Sequence, residues 1–267
     1  MSSREERKRQ AKEAREKAER EAAAAATRKR RLQLLAAIAA VAVVVVVTLV
    51  IVSSSGGGKG TEVEAGKPAS GGAEVQQRFA GIPQGGLILG KPDAPVTMVE
   101  YIDLKCPVCQ AFETSVFPTL VDKYVRTGKL RVQAQVQDFV GNEEHDSEDA
   151  ARMALAASEQ NKFFQFTSLF YEHQGNENDA YVTDAFLKSI GDAVQGLDVQ
   201  KALDARQSTQ VSDQLQKSSD AFDQNGFTGT PSFQIGQTGQ TLRTFNPSSF
   251  TSSKDFEDAI NQLAGAQ

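Results

Sequence analysis

The chain has 267 residues with no Trp, two Cys and eight Pro, which excludes a disulfide-dense module and a collagen-like chain. Its formal net charge of -5 averages two unlike parts: residues 1–52 carry 12 Lys/Arg against 6 Asp/Glu, and residues 53–267 carry 17 against 28. An acidic main part is a poor ligand for a phosphate backbone, so no nucleic-acid partner is expected for it.

Residues 4–26 lack Gly and Pro and can form a solvated helix supported by pairs such as Glu13–Lys17 and Glu16–Arg20. With no apolar face beyond alanine, residues 1–31 read as a basic cytoplasmic tail that sets orientation. A basic arm lying on anionic lipid or RNA is the competing reading. From Leu32 to Val52 run 21 residues interrupted only by the polar Gln33 and Thr48, enough as a helix to cross the hydrocarbon of a bilayer. The cluster Arg28, Lys29, Arg30 and Arg31 precedes this span, and no basic residue follows it until Lys59. By the positive-inside rule the N-terminus stays in the cytoplasm, and residues 53–267 are extracytoplasmic on a single-pass anchor. A cleaved signal peptide is the rival, disfavoured by the 31-residue lead, the length of the apolar run and the lack of an A-x-A site. Residues 53–85, with SSSGGGKG, PASGGA and PQGG, read as a flexible linker with one short ordered piece around Val75–Ile82.

The domain proper is expected over residues 86–267. A weak β element near Leu87–Leu89 precedes Ala94–Leu104, which is rich in β-branched and aromatic residues and predicts a buried strand. That strand runs into Lys105-Cys106-Pro107-Val108-Cys109. The residues that follow place Phe112, Val116, Phe117, Leu120, Val121 and Val125 at helical spacing. Pro107 suits a first helical turn, so Cys106 is expected at a helix N-terminus, where free N–H groups and the helix dipole favour a thiolate. Cys109 falls one turn on, within bonding reach. This is the layout of a thiol–disulfide exchange site. Zinc is disfavoured because His145 and His173 are distant in sequence and not in ligand spacing. An inert disulfide would more often close a longer loop. Two reduced core cysteines would oxidise outside the cytoplasm.

Further on, Leu130–Phe139 alternates as a second central strand, and Asp146 or Ser147 can cap a helix through residues 147–160. Phe163, Phe164, Phe166, Leu169 and Phe170 mark a second helix whose aromatics read as core or cleft wall. Val182–Ile190 and Val199–Phe227 predict further helices, the last closing at Gly226. Ser232–Ile235 predicts a strand, residues 236–239 a hairpin turn into Gln240–Phe245, and Ser252–Leu263 a C-terminal helix. The fold class is α/β, with one N-terminal transmembrane helix.

The segment VEYIDLKCPVCQAF, with GFTGTPSFQIG far downstream, resembles the DsbA-like thiol–disulfide oxidoreductases over about residues 86–265. The resemblance implies a thioredoxin fold with a helical insertion at about 146–227, and a redox pair at Cys106 and Cys109. It also implies a cis-proline at Pro231 facing that pair and a buried acid, Glu100, beneath the second cysteine. Thr230, Pro107 and Val108 are then the expected substrate contacts, the backbone of Thr230 being free to pair with a peptide. Glu100 could shuttle the proton of Cys109. No cofactor is expected. The implied partners are exported proteins with cysteine thiols and a membrane redox partner, a quinone-linked oxidase or else an electron donor. Val108 stands where a histidine often favours a strongly oxidising pair, and Lys105 supplies a positive charge on the other side of Cys106. Introduction of disulfides is the leading expectation; reduction or isomerisation, and a non-catalytic peptide-binding or chaperone module, are the alternatives.

Overall fold

The computed structural model describes residues 66–140 and 146–265. The expected span 32–52, the tail before it and His145 lie outside these residues. Among the described residues no helix is long and apolar enough to cross a membrane.

The central strand, β3 (Val96–Asp103), is buried along its whole length, as its nearly unbroken apolar and β-branched composition requires of a strand covered on both faces. It pairs in parallel with β4 (Leu130–Gln137) from Val96↔Leu130 to Asp103↔Gln137. On its other side it pairs antiparallel with β5 (Ser232–Gln237) from Val96↔Gln237 to Tyr101↔Ser232. The short strands β1 (Gln84–Gly85), β2 (Ile88–Leu89) and β6 (Arg243–Phe245) complete one six-stranded sheet of order β1-β2-β4-β3-β5-β6. In β4 the alternation decides the faces: Leu130, Val132, Ala134 and Val136 are buried, while Arg131, Gln133 and Gln135 lie half-buried on the opposite side.

The stretch read as tether contains α1 (Gly72–Phe79), which turns Val75 and Phe79 into the core. The Phe79 ring lies 6.4 Å from Phe117 and 6.2 Å from Phe164, so the ordered domain starts before residue 86. The short ordered piece expected around Val75–Ile82 is thus a helix, and it packs into the domain rather than standing within the linker. After the cysteine motif, the expected single helix is three pieces: α2 (Pro107–Ser115), α3 (Phe117–Leu120) and one π-helical turn at Val121–Val125. Pro118 has no N–H to carry α2 onward, so the chain restarts at Phe117. All six apolar residues expected on its inner face are nonetheless buried. Phe112 of α2 packs on Phe233 of β5 at 4.8 Å and on Phe256 of α9 (Lys254–Gly265) at 5.2 Å, which fixes the helix across the sheet.

Between β4 and β5 come α4 (Asp146–Ser158), α5 (Phe163–Glu172), α6 (Asp184–Asp192), α7 (Val199–Ala205) and α8 (Thr209–Gln224). The helix expected over Val199–Phe227 is thus two, because the Ser208 hydroxyl accepts the Val211 N–H and starts a new helix. Gly226, at φ +68°, ends the segment as expected. The five aromatic and leucine residues of α5 are all core. On the other face of the sheet Phe222 of α8 packs on Tyr101 at 6.0 Å, with the exposed Phe139 ring 5.5 Å beyond it.

Because Phe79 bridges two further rings, Phe79→Ala is expected to lower the unfolding free energy by about 3–5 kcal/mol in urea titrations. An unchanged midpoint would return residues 72–79 to the tether.

Candidate active site

At the C-terminal end of β3 the chain must leave a buried strand and enter α2 within three residues. Asp103 carries the turn: its carbonyl accepts the Cys106 N–H at 3.1 Å, and its carboxylate accepts the Lys105 N–H at 2.8 Å. Cys106 then occupies the N-cap of α2 in extended backbone (φ -70°, ψ 120°), with Pro107 in the first turn. Its carbonyl accepts the Gln110 N–H at 3.1 Å. Three side-chain contacts from the helical insertion and one from α2 to it hold this loop. Gln174 Nε2 donates to the carbonyls of Leu104 (2.6 Å) and Cys106 (3.2 Å), Tyr171 Oη donates to the Asp103 carbonyl (3.0 Å), and Gln110 Nε2 donates to the Tyr171 carbonyl (2.8 Å).

The two sulfurs, present here as thiols, are unequal. Cys106 keeps 6% of its surface exposed and Cys109 none. Hydrogen bonding from the Cys109 thiol, with the backbone N–H groups of Cys109 and Val108 and the Thr230 hydroxyl, outweighs burial and lowers the Cys106 thiol to about 6. Burial, then the hydrogen bond and charge of Cys106, pushes Cys109 well above the ordinary thiol range. One sulfur is therefore a thiolate at neutral pH, and its partner is a thiol. Thr230–Pro231 is cis, and the Thr230 carbonyl oxygen lies 3.3 Å from Cys106 Sγ, where it accepts from that sulfur in its thiol form. Pro107 is exposed and Val108 half-buried beside the sulfur, so the expected contact residues Thr230, Pro107 and Val108 do converge on Cys106.

Glu100 is buried in mid-strand opposite Ala134 and Phe233, its Oε2 unpaired. Burial, then the nearby Glu113 charge, raises its carboxyl well above the ordinary range. Glu113 was not singled out by sequence reasoning, although it follows Cys109 by one helical turn and so shares its face. Burial raises it to about 8, against the opposing pull of Arg78. Glu113, one helical turn from the buried sulfur, is therefore largely protonated at pH 7, and Glu100 is shifted in the same direction.

Lys105 does not act as a free charge beside Cys106. It is wholly buried, donating to Asp146 Oδ1 at 2.6 Å and to the Asp179 carbonyl at 3.0 Å, with its ammonium 5.4 Å from the Tyr181 ring centre. Asp146 and Ser147, expected as helix caps, instead turn towards the motif: Asp146 takes Lys105, and the Ser147 hydroxyl donates to Asp103. No spacing rule foretells such long-range pairings. Among the described residues no group of acidic, histidine and cysteine side chains could hold a metal ion.

A thioredoxin fold with a dithiol at the head of a helix, a cis-proline against its outer sulfur and a helical insertion defines a thiol–disulfide exchange protein. A family model described as thioredoxin matches residues 83–252. The probable disulfide bond formation protein D of Bacillus anthracis is 29% identical over 148 residues, 55% of this chain and 68% of that protein. Disulfide bond formation protein D of Bacillus subtilis is 25% identical over 154 residues, 55% of this chain and 66% of that protein. Among solved structures, oxidised BdbD from Bacillus subtilis superposes with a TM-score of 0.58 at 20% identity, covering 69% of this chain and 98% of that one. Wolbachia pipientis alpha-DsbA1 gives 0.56 at 24%, covering 67% and 91%. These two likenesses are of fold. The chain belongs to the thioredoxin family and is a protein thiol–disulfide oxidoreductase.

Two predictions follow the buried charges. Removing one partner of the Lys105–Asp146 pair strands the other in the core, so Lys105→Met and Asp146→Ala should each cost about 3–5 kcal/mol, and the double variant less than their sum. A double-mutant cycle in urea checks this. For Glu113, the folded protein holds a proton that the unfolded chain has lost between pH 4.5 and about 8, so stability falls as pH rises through that window. Glu113→Gln should leave stability unchanged below pH 4.5 and raise it by about 1–3 kcal/mol above pH 8, read from urea midpoints across pH.

Proposed function

We propose that this protein introduces disulfides into exported proteins through Cys106 and Cys109, from an extracytoplasmic position on the anchor formed by residues 32–52. A substrate thiolate attacks the Cys106 sulfur of the enzyme disulfide, and Cys109 leaves and takes a proton. A second substrate thiolate then attacks the mixed disulfide, releasing the oxidised substrate and the Cys106 thiolate. A quinone-linked membrane partner restores the disulfide. Thr230, Pro107 and Val108 flank the attacked sulfur and contact the substrate; Glu100, through Glu113, supplies or accepts the proton of Cys109.

The observation that carries this reading is the lowered Cys106 thiol. Near a value of 6 it is about nine-tenths thiolate at pH 7, which stabilises the reduced enzyme by about 1.4 kcal/mol relative to an ordinary thiol. That shifts the pair by about 30 mV in the oxidising direction. A reductase or isomerase is the second reading, favoured by Val108, which adds no positive partner for the thiolate.

The reduction potential, measured by equilibration in glutathione buffers with mass-tagging of free thiols, separates the two. A value above about -150 mV supports the oxidase. A value near about -270 mV, where thioredoxin lies, makes the protein an electron donor. Function in exported-protein folding retained by both Cys106→Ser and Cys109→Ser, with exchange activity lost, would remove both readings in favour of a peptide-binding module.

A further inference from the structure

Asp103 is a buried acid at the redox loop that disulfide exchange, as described above, leaves without a part. It is fully buried at the end of β3, and both its carboxylate oxygens are engaged. The Lys105 N–H donates to Oδ1 at 2.8 Å, the Val140 N–H donates to Oδ2 at 2.9 Å, and the Ser147 hydroxyl lies 2.8 and 2.9 Å from the two oxygens. The two N–H groups can only donate. Ser147 Oγ alone can either donate to a carboxylate or accept from a carboxylic acid, so the cage accommodates both protonation states without moving a backbone atom.

The groups facing Asp103 come from every element packed on it. Cys106 and Cys109 stand at the head of α2, and Tyr171 reaches in from α5. Lys105 and Asp146 neutralise each other at 2.6 Å beneath Tyr181. The Lys105 ammonium is thereby committed to another carboxylate. What remains in this dry space is one carboxyl and one exchangeable thiolate, like charges sharing a single loop.

We propose that Asp103 is a redox-linked positioning residue: its carboxylate takes up a proton when the Cys106–Cys109 disulfide is reduced and gives it up when the disulfide re-forms, Ser147 reversing its hydrogen bond between the two states. The inference rests on the thiol–disulfide exchange reading, in either direction. In the balance, two substrate thiols bring two electrons and two protons. The enzyme S–S bond breaks and a substrate S–S bond forms. Cys109 keeps one proton as a thiol, Cys106 remains a thiolate, and the second proton enters the Asp103 carboxylate. Reoxidation by a disulfide-bearing oxidant, which accepts two electrons and two protons, returns Asp103 to its carboxylate.

Burial raises the Asp103 carboxyl to about 7, against its three hydrogen-bond donors, and the Cys106 thiolate adds in the same direction. By reciprocity the carboxylate disfavours the thiolate to the same extent.

The test uses the intact chain. Reduced-minus-oxidised infrared difference spectra at pH 7 should show a protonated-carboxyl stretch that appears on reduction and is absent in Asp103→Asn. No such band, or one that survives in Asp103→Asn and disappears in Glu100→Gln or Glu113→Gln, overturns the proposal. The pH profile of Cys106 alkylation provides the second readout. Asp103→Asn should move its midpoint down by roughly 0.5–1 pH unit. Ser147→Ala removes a donor to the carboxylate, favours the acid form and should move the midpoint the same way by less, which keeps the proposal testable if Asp103→Asn does not fold. An unmoved midpoint in the folded variants overturns it. Wild-type exchange of a peptide dithiol, followed in parallel, distinguishes this failure from failure of the exchange reading.

Discussion

Everything at this site depends on how a fully buried strand hands the chain to a helix. Asp103 ends β3, and three residues later Cys106 caps α2. Over those residues the main chain is dry, so its polar groups need protein partners. They find them in Asp103 itself, for the N–H groups of Lys105 and Cys106, and in Gln174, for the carbonyls of Leu104 and Cys106. Once that turn is satisfied, the first sulfur has no choice but to face the free N–H groups of α2 on one side and the Thr230 carbonyl on the other.

The helical insertion is therefore more than a lid placed beside a redox motif. Its first two helices, α4 and α5, and the residues just after α5 send Asp146, Ser147, Tyr171 and Gln174 directly into the loop before Cys106. The motif is held from the insertion as firmly as from the sheet. Packing anchors the arrangement from beneath, where Phe112 meets rings from β5 and α9, and Phe79, Phe117 and Phe164 connect the first helix to the insertion.

The chemistry draws on asymmetry. Two cysteines one helical turn apart differ because one lies at the helix end, with donors around it, and the other lies in the core. Burial elsewhere acts on carboxyls in the opposite sense, holding Glu100, Glu113 and Asp103 above their ordinary range. A region that stabilises one anion on sulfur thus suppresses anions on oxygen around it, which is the condition for moving protons with electrons.

Much of this was legible in the residues alone. Strand, Cys-Pro-Val-Cys and helix follow from local composition and spacing, as do the aromatic core of α5 and the closing glycine at 226, because hydrophobic period and turn chemistry are short-range properties. The buried position of Glu100 followed from a family resemblance, and its place in the sheet agrees with it. Other features were not local. The first helix showed only as a short ordered piece, its docking into the core illegible in a stretch rich in Gly and Ala, and the break at Pro118 was masked by an otherwise regular apolar period. That Lys105 is a buried ion-pair partner rather than a surface charge was decided by Asp146, 41 residues away. That Asp103 lies in a cage was decided by Val140 and Ser147, and that Glu113 faces another carboxyl was decided by the packing of α2 on the sheet. By itself the sequence determined which residues can exchange electrons; only the tertiary structure decided which groups hold the protons, because burial and partners from distant segments set the charge of each acid.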